Sequence, residues 1–387
     1  MSKRIFFFSL ALFLIFSGLL FWQGYWGWDF FSTKKTEIKS EDNSVESEKE
    51  TVSENSTPRE AAKKLEKIVE GDLAGAIFLK KEKKLVFYSN QNFIKADLNG
   101  QNRQSVGAHP FDRVKKISWS LNNDKATIQD QTGYFLFDLE KEEIKPFPVS
   151  TGLLEWGFLN NQIVYEYFDQ KKNRRILDTS FDLSGGNWEE VGEIPYAGAV
   201  LLVNPMRNQG LIFPHPGQKA VGDALKVNFS EKRVEKFLHY FKGMDFLFSP
   251  SGKKVLESYV KGDGRISLGV LDWETGAFQD LNFPTSVKKC VWKKNETEVI
   301  CAALLSSEKV NLPEDWENKN GLFYDLFWKI NLQNGKQTRL LEPSESGATD
   351  ASGLFFDETQ TRLFFIDRLS GGLFRLNLPD EEAEPKN

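Results

Sequence analysis

Short apolar runs alternate with polar turns along most of the chain, and seven of them close on an Asp- or Asn-led step. The steps are Asp97-Leu98-Asn99, Asp138-Leu139-Glu140, Asp182-Leu183-Ser184, Asn228-Phe229-Ser230, Asp272-Trp273-Glu274, Asn331-Leu332-Gln333 and Asn377-Leu378-Pro379. Their starts lie 41, 44, 46, 44, 59 and 46 residues apart, a period that suits a four-stranded blade. The fifth repeat shows all four strands: Met244 to Phe248, a Ser249-Pro250-Ser251-Gly252 turn, Lys254 to Tyr259, Ile266 to Trp273, a Glu274-Thr275-Gly276 turn, and Phe278 to Phe283. The same first turn recurs near Asn122, Asn160, Met206, Asn295 and Glu358, with Lys80 to Lys84 its weakest copy. The pattern predicts an all-β chain, a seven-bladed propeller of four-stranded antiparallel blades over residues 58–378. Each repeat adds its own slice of core, so 387 residues fit one large domain.

The last repeat reaches only a third strand, at Leu373 to Leu378, before an acidic tail over 379–387. A ring left with an open edge invites aggregation, and a strand lent from the other end of the chain would close it. Leu65 to Val69 is the nearest candidate. A rival pattern competes there, because Thr57-Pro58-Arg59-Glu60 reads as a capping box that would start a short helix over Ala61 to Val69.

Ahead of the repeats, residues 5–28 carry no charge. As a helix they would span about 36 Å, enough to cross a bilayer. Lys3 and Arg4 precede this stretch and Trp22, Tyr25, Trp26 and Trp28 end it, so it predicts a single-pass anchor with residues 1–4 inside and the propeller outside the cytoplasmic membrane. A cleaved signal is the competing reading, but no good small-residue cleavage site follows the apolar run. Residues 29–57 are charged and poor in apolar groups, the composition of a disordered linker.

Ser249-Pro250-Ser251-Gly252-Lys253-Lys254 resembles the Ser-Pro-Asp-Gly-Lys-Lys motif of TolB-like and other WD-repeat-like bacterial propellers, and Leu271-Asp272-Trp273 resembles the strand end of WD repeats. The resemblance implies a propeller of that type over residues 65 to 378 and implies no particular activity.

A net charge of −5 with both signs interspersed leaves no basic face for nucleic acid. Three histidines, His109, His215 and His239, make a histidine metal cluster unexpected, and no metal or cofactor is predicted. No nucleophile elbow or phosphate-binding glycine loop is present. Cys290 and Cys301 fall opposite each other if the sixth repeat's hairpin centres between Asn295 and Glu296; they read either as a disulfide in an oxidising compartment or as two small core residues.

The 59-residue interval places an insertion around Glu314, Asp315 and Trp316. Strand alternation puts it on the same face as Tyr196, His215, Asp263, Arg265 and Arg368. An exposed Trp316 would suit recognition; alternatively it folds back as the loop's own core. The expected function is a non-catalytic binding or scaffold module for a protein, peptide or envelope polymer. The alternative is a propeller hydrolase or lyase acting on a peptide or glycan, and ionisable groups converging at the channel would favour it.

Overall fold

The computed structural model describes residues 64–149, 152–158, 161–217, 222–237, 242–304, 311–347 and 349–379. The expected anchor over 5–28 and linker over 29–57, together with His239 and the tail beyond Pro379, lie outside the described residues. Among the described residues no helix is long and apolar enough to cross a membrane. The two α-helices among the described residues, α1 (Glu314–Glu317) and α2 (Pro343–Ser346), are single turns, rising about 6 Å where a bilayer needs about 30 Å. The expected single-pass localisation is corrected accordingly.

The described residues form seven four-stranded sheets, and every pairing within them is antiparallel. Blades 1 to 6 each use four consecutive strands, covering 74–108, 116–147, 153–194, 200–236, 242–283 and 290–339. Blade 7 combines β26 (Ala351–Phe356), β27 (Arg362–Asp367) and β28 (Leu373–Asn377) with β1 (Leu65–Val69). The strand at 65–69 therefore prevails over the helix. Leu65 lies opposite Leu376 and Lys67 opposite Phe374, Arg375 Nη2 donates to Glu66 Oε2 at 2.8 Å, and Val69 is buried. A helix would have left the β28 edge unpaired.

Middle strands are covered on both faces, which explains why β27 reads Leu363-Phe364-Phe365-Ile366 without alternation. Phe364 packs with Phe78, Leu85 and Phe87 towards blade 1, while Phe365 packs with Phe327 and Ile300 towards blade 6. Each such phenylalanine contributes roughly 1.5–3 kcal/mol by leaving water. The innermost strands are tied across the joints by tryptophans: Trp119 Nε1 donates to Gly75 O at 2.8 Å, Trp156 Nε1 to Ser118 O at 2.9 Å, and Trp292 Nε1 to Leu247 O at 3.1 Å.

Six of the seven Asp- and Asn-led steps are turns, the exception being Asn377-Leu378-Pro379, which ends β28. Asp97 Oδ1 accepts the N–H groups of Asn99 and Gln101, Asp272 Oδ1 those of Glu274 and Thr275, and Asn331 Oδ1 those of Gln333 and Asn334. Asx chemistry of this kind fixes the third-to-fourth strand hairpins. In blade 6, β22 (Cys290–Trp292) pairs with β23 (Glu298–Leu304) so that Cys290 faces Cys301, and the two form a disulfide with Cα atoms 4.1 Å apart.

Candidate functional site

The chain enters blade 6 through a 3-10 turn, Val287–Lys289, capped by the Ser286 side chain, which accepts the Lys288 N–H. This turn packs against β18 (Lys242–Phe248) and β19 (Lys254–Val260) of blade 5, β23 of blade 6 and β26 of blade 7. It therefore sits at the inner rim, and its two lysines enter different networks.

Lys289 is buried. Its Nζ donates to Asp325 Oδ2 at 2.5 Å and Asp350 Oδ1 at 2.7 Å. Asp350 Oδ1 also accepts Trp316 Nε1 at 2.7 Å. The Arg368 guanidinium stacks 4.2 Å from the Trp316 ring centroid and donates to Trp316 O at 2.6 Å, while Lys289 Nζ lies 5.0 Å from the same ring. Burial pushes the Asp325 carboxyl up, against the pull of Lys289. The network is buried and charge-balanced, an arrangement that fixes geometry more than it adds stability.

Lys288 faces the opening. Its Nζ donates to Glu317 Oε1 and lies 3.7 Å from Asp245 Oδ2. Glu317 Oε2 is in turn 3.7 Å from His215 Nδ1, and the His215 side chain is 61% exposed. Burial pushes Asp245 up to about 6, partly offset by Lys288. Burial also opposes the charge on Lys288, but Asp245 and Glu317 outweigh it and hold this ammonium above the ordinary lysine range. Side chains from blades 4, 5 and 6 thus form one chain, His215–Glu317–Lys288–Asp245, at the inner rim. A base, two carboxylates and a cation in reach of one another can move protons and neutralise a bound anion.

Of the residues singled out in the sequence, the structure brings Trp316, Arg368 and His215 to this rim. Trp316 is buried, 6% exposed, folding back as the core of its own loop. Asp315 closes that loop, its Oδ2 accepting the Asn311 N–H at 2.7 Å, and Glu314 begins α1. Tyr196 stands apart and braces the loop that presents His215. Its hydroxyl accepts the Asp223 N–H and donates to Asp223 O, each at 2.8 Å, and there is no room for a Cβ at Gly222 between the Tyr196 ring and Pro214. Asp263 and Arg265 pair with each other in the exposed blade 5 turn and do not join the cluster. Sequence reasoning missed Asp245, Lys288, Lys289, Glu317, Asp325 and Asp350. They share no motif. The available signal was their repeat position: Lys289 and Asp350 each directly precede an innermost strand, at Cys290 and Ala351, and Asp245 lies within another, Lys242–Phe248.

The fold and rim define a seven-bladed propeller with ionisable groups meeting at its inner edge. No known family and no curated protein matches the chain by sequence. Its structure is similar to an oligogalacturonate lyase in complex with manganese (15% identity, TM-score 0.58, 82% of this chain and 91% of that one). It is similar to oligogalacturonate lyase from Vibrio parahaemolyticus (12%, TM-score 0.60, 83% and 95%) and to the Cps50 (Swd1) β-propeller domain of Myceliophteria thermophila (11%, TM-score 0.54, 81% and 100%). At these identities the likeness establishes the fold. TolB from Acinetobacter baumannii aligns at TM-score 0.39, too loosely to bear on the chain.

The residues do not fit a manganese ion. Among the described residues no group of three or more His, Cys, Asp or Glu could hold a metal, and where two carboxylates converge, Asp325 and Asp350, the Lys289 ammonium already lies between them. The expected non-catalytic binding module is corrected on two findings: two of the similar propellers are lyases, and the tryptophan meant to present an exposed recognition surface is buried.

Proposed function

We propose that the protein is a propeller enzyme that cleaves a glycan by β-elimination, a lyase acting on uronate-containing chains. The observation that carries this reading is the His215–Glu317–Lys288–Asp245 chain at the inner rim, and the likeness to two oligogalacturonate lyases supports it. Elimination removes the proton on the carbon beside a carboxylate. The electron pair becomes a carbon–carbon double bond, and the glycosidic carbon–oxygen bond on the adjacent carbon breaks, its oxygen leaving with a proton supplied by water. Exposed His215 is the base that takes the first proton. The Lys288 ammonium neutralises the substrate carboxylate, which lowers the cost of building negative charge on the neighbouring carbon. Glu317 holds Lys288 and faces His215, and Asp245 anchors Lys288 from below. No step passes through a metal.

The full chain incubated with polygalacturonate is expected to raise both ultraviolet absorbance, from the unsaturated product, and reducing ends. His215→Asn should lower kcat by about 10²–10⁴-fold. Reducing ends without absorbance, on an acidic or a neutral glycan, would indicate hydrolysis instead. No cleavage of any acidic or neutral glycan overturns the reading.

A further inference from the structure

The insertion in blade 6 carries Glu317 on a helix of one turn, α1, too short to hold its place by its own hydrogen bonds. Something else must fix it over the rim. The side chain next to Glu317 is Trp316, and the hydrogen bond and cation contacts of that indole lead into the buried network: Nε1 to Asp350 at 2.7 Å, the ring under the Arg368 guanidinium at 4.2 Å, and Lys289 Nζ at 5.0 Å. Phe323, buried at the far end of the insertion, lies 6.0 Å from the same ammonium. Asp350 is itself held, its N–H donating to Asp367 Oδ1 at 2.8 Å. The anchor therefore belongs to blade 7 and the rim turn, whereas the group it delivers meets Lys288 and His215.

We infer that residues 311–324 act as a clamp: the Trp316–Asp350 anchor sets Glu317 against Lys288 and His215, making Trp316 and Asp350 positioning residues for the rim chain. This rests on the reading of that chain as the reactive site, but the placement can be measured without catalysis. With the anchor loosened, Lys288 keeps only Asp245, at 3.7 Å, and His215 loses its acidic neighbour. A buried tryptophan holds a single-turn helix better than a backbone cap, because it adds ring area, a hydrogen bond and a cation above its face in one residue.

A zero-length carbodiimide couples a carboxylate to an amine only where the two touch, so the Lys288–Glu317 crosslink, read by peptide mass spectrometry on the full chain, reports the placement. The wild type is expected to give the crosslink. Trp316→Phe keeps the stack with Arg368 and loses the hydrogen bond, and Asp350→Asn removes the charge from the acceptor. Both should reduce the yield at least fivefold while melting cooperatively, and Leu121→Ala, exposed on the opposite face, should not change it. No crosslink in the wild type, or undiminished yields in folded Trp316→Phe and Asp350→Asn, overturns the clamp. A crosslink that follows this pattern in a protein that cleaves no glycan leaves the clamp standing and removes the enzymatic reading. Where cleavage is found, the two variants should lose kcat about tenfold with KM little changed, and full kcat in both also overturns the clamp.

Discussion

Both carboxylate oxygens of Glu257 are buried without a hydrogen-bond partner on β19, where the residue lies opposite Phe246 and Gly269. Burial alone pushes its carboxyl up to about 8. Below about pH 4.5 the folded and unfolded chains both carry the proton and the fold keeps its full stability. Between about 4.5 and 8 the unfolded chain gives up the proton while the fold retains it, so stability falls as pH rises, by a few kcal/mol in all. Asp245 acts in the same direction over a narrower window ending at about 6. Glu257→Gln keeps the shape and removes the proton, so its melting temperature should exceed that of the wild type at pH 9 and match it near pH 4. A difference that does not change with pH would sink this account. Glu257 also shows why the site was hard to read from sequence. In Lys254-Val255-Leu256-Glu257-Ser258-Tyr259 an acidic residue in an alternating strand points to solvent by default, but a middle strand between two neighbouring blades has no solvent side. Lys288 and Lys289 were hidden differently, since two adjacent lysines in a connection look like ordinary surface charge.

At the scale of elements, hairpins were legible and connections were not. A strand–turn–strand unit is specified locally by apolar alternation and turn residues, so the fifth repeat's strands appear within two residues of their expected limits, Met244 against Lys242 and Tyr259 against Val260. The 3-10 turn at Val287–Lys289 and the single-turn α1 owe their form to contacts with other blades, which no local pattern announces. Two predictions belong here. The Cys290–Cys301 disulfide closes a separation of 11 residues, for which loop-closure entropy gives about 3 kcal/mol. Cys290→Ala with Cys301→Ala should lower the denaturant midpoint by a corresponding amount without changing its slope, and an unchanged midpoint would show that the ladder of β22 and β23 already does the work of the bridge. In β1, Lys67→Pro places a residue without an N–H in the closing strand. It should cost about 3 kcal/mol or more and raise aggregation by freeing the β28 edge; a monomeric variant of wild-type stability would contradict that role for residues 65–69.

For the molecule as a whole, the number of blades followed from the repeat because each unit writes its own turn chemistry. Convergence at the rim did not, since Asp245 comes within a few ångströms of Lys288, and Asp350 of Lys289, only when the ring fixes which blades are neighbours. The tryptophan bonds across the innermost joints and the phenylalanines shared between blades make that ring a rigid frame, which is why a clamp one turn long can place a carboxylate. Ring closure also sets an order of events. β1 leaves the ribosome ahead of the other described strands, and its partner β28 follows roughly 300 residues later. At about 5–20 residues per second this is a wait of roughly 15–60 s. During synthesis the blades stack as an open arc with an unpaired edge, and the Lys67 and Glu66 side chains carried by β1 are the charges that keep its own edge from pairing with another chain before the circle can be completed.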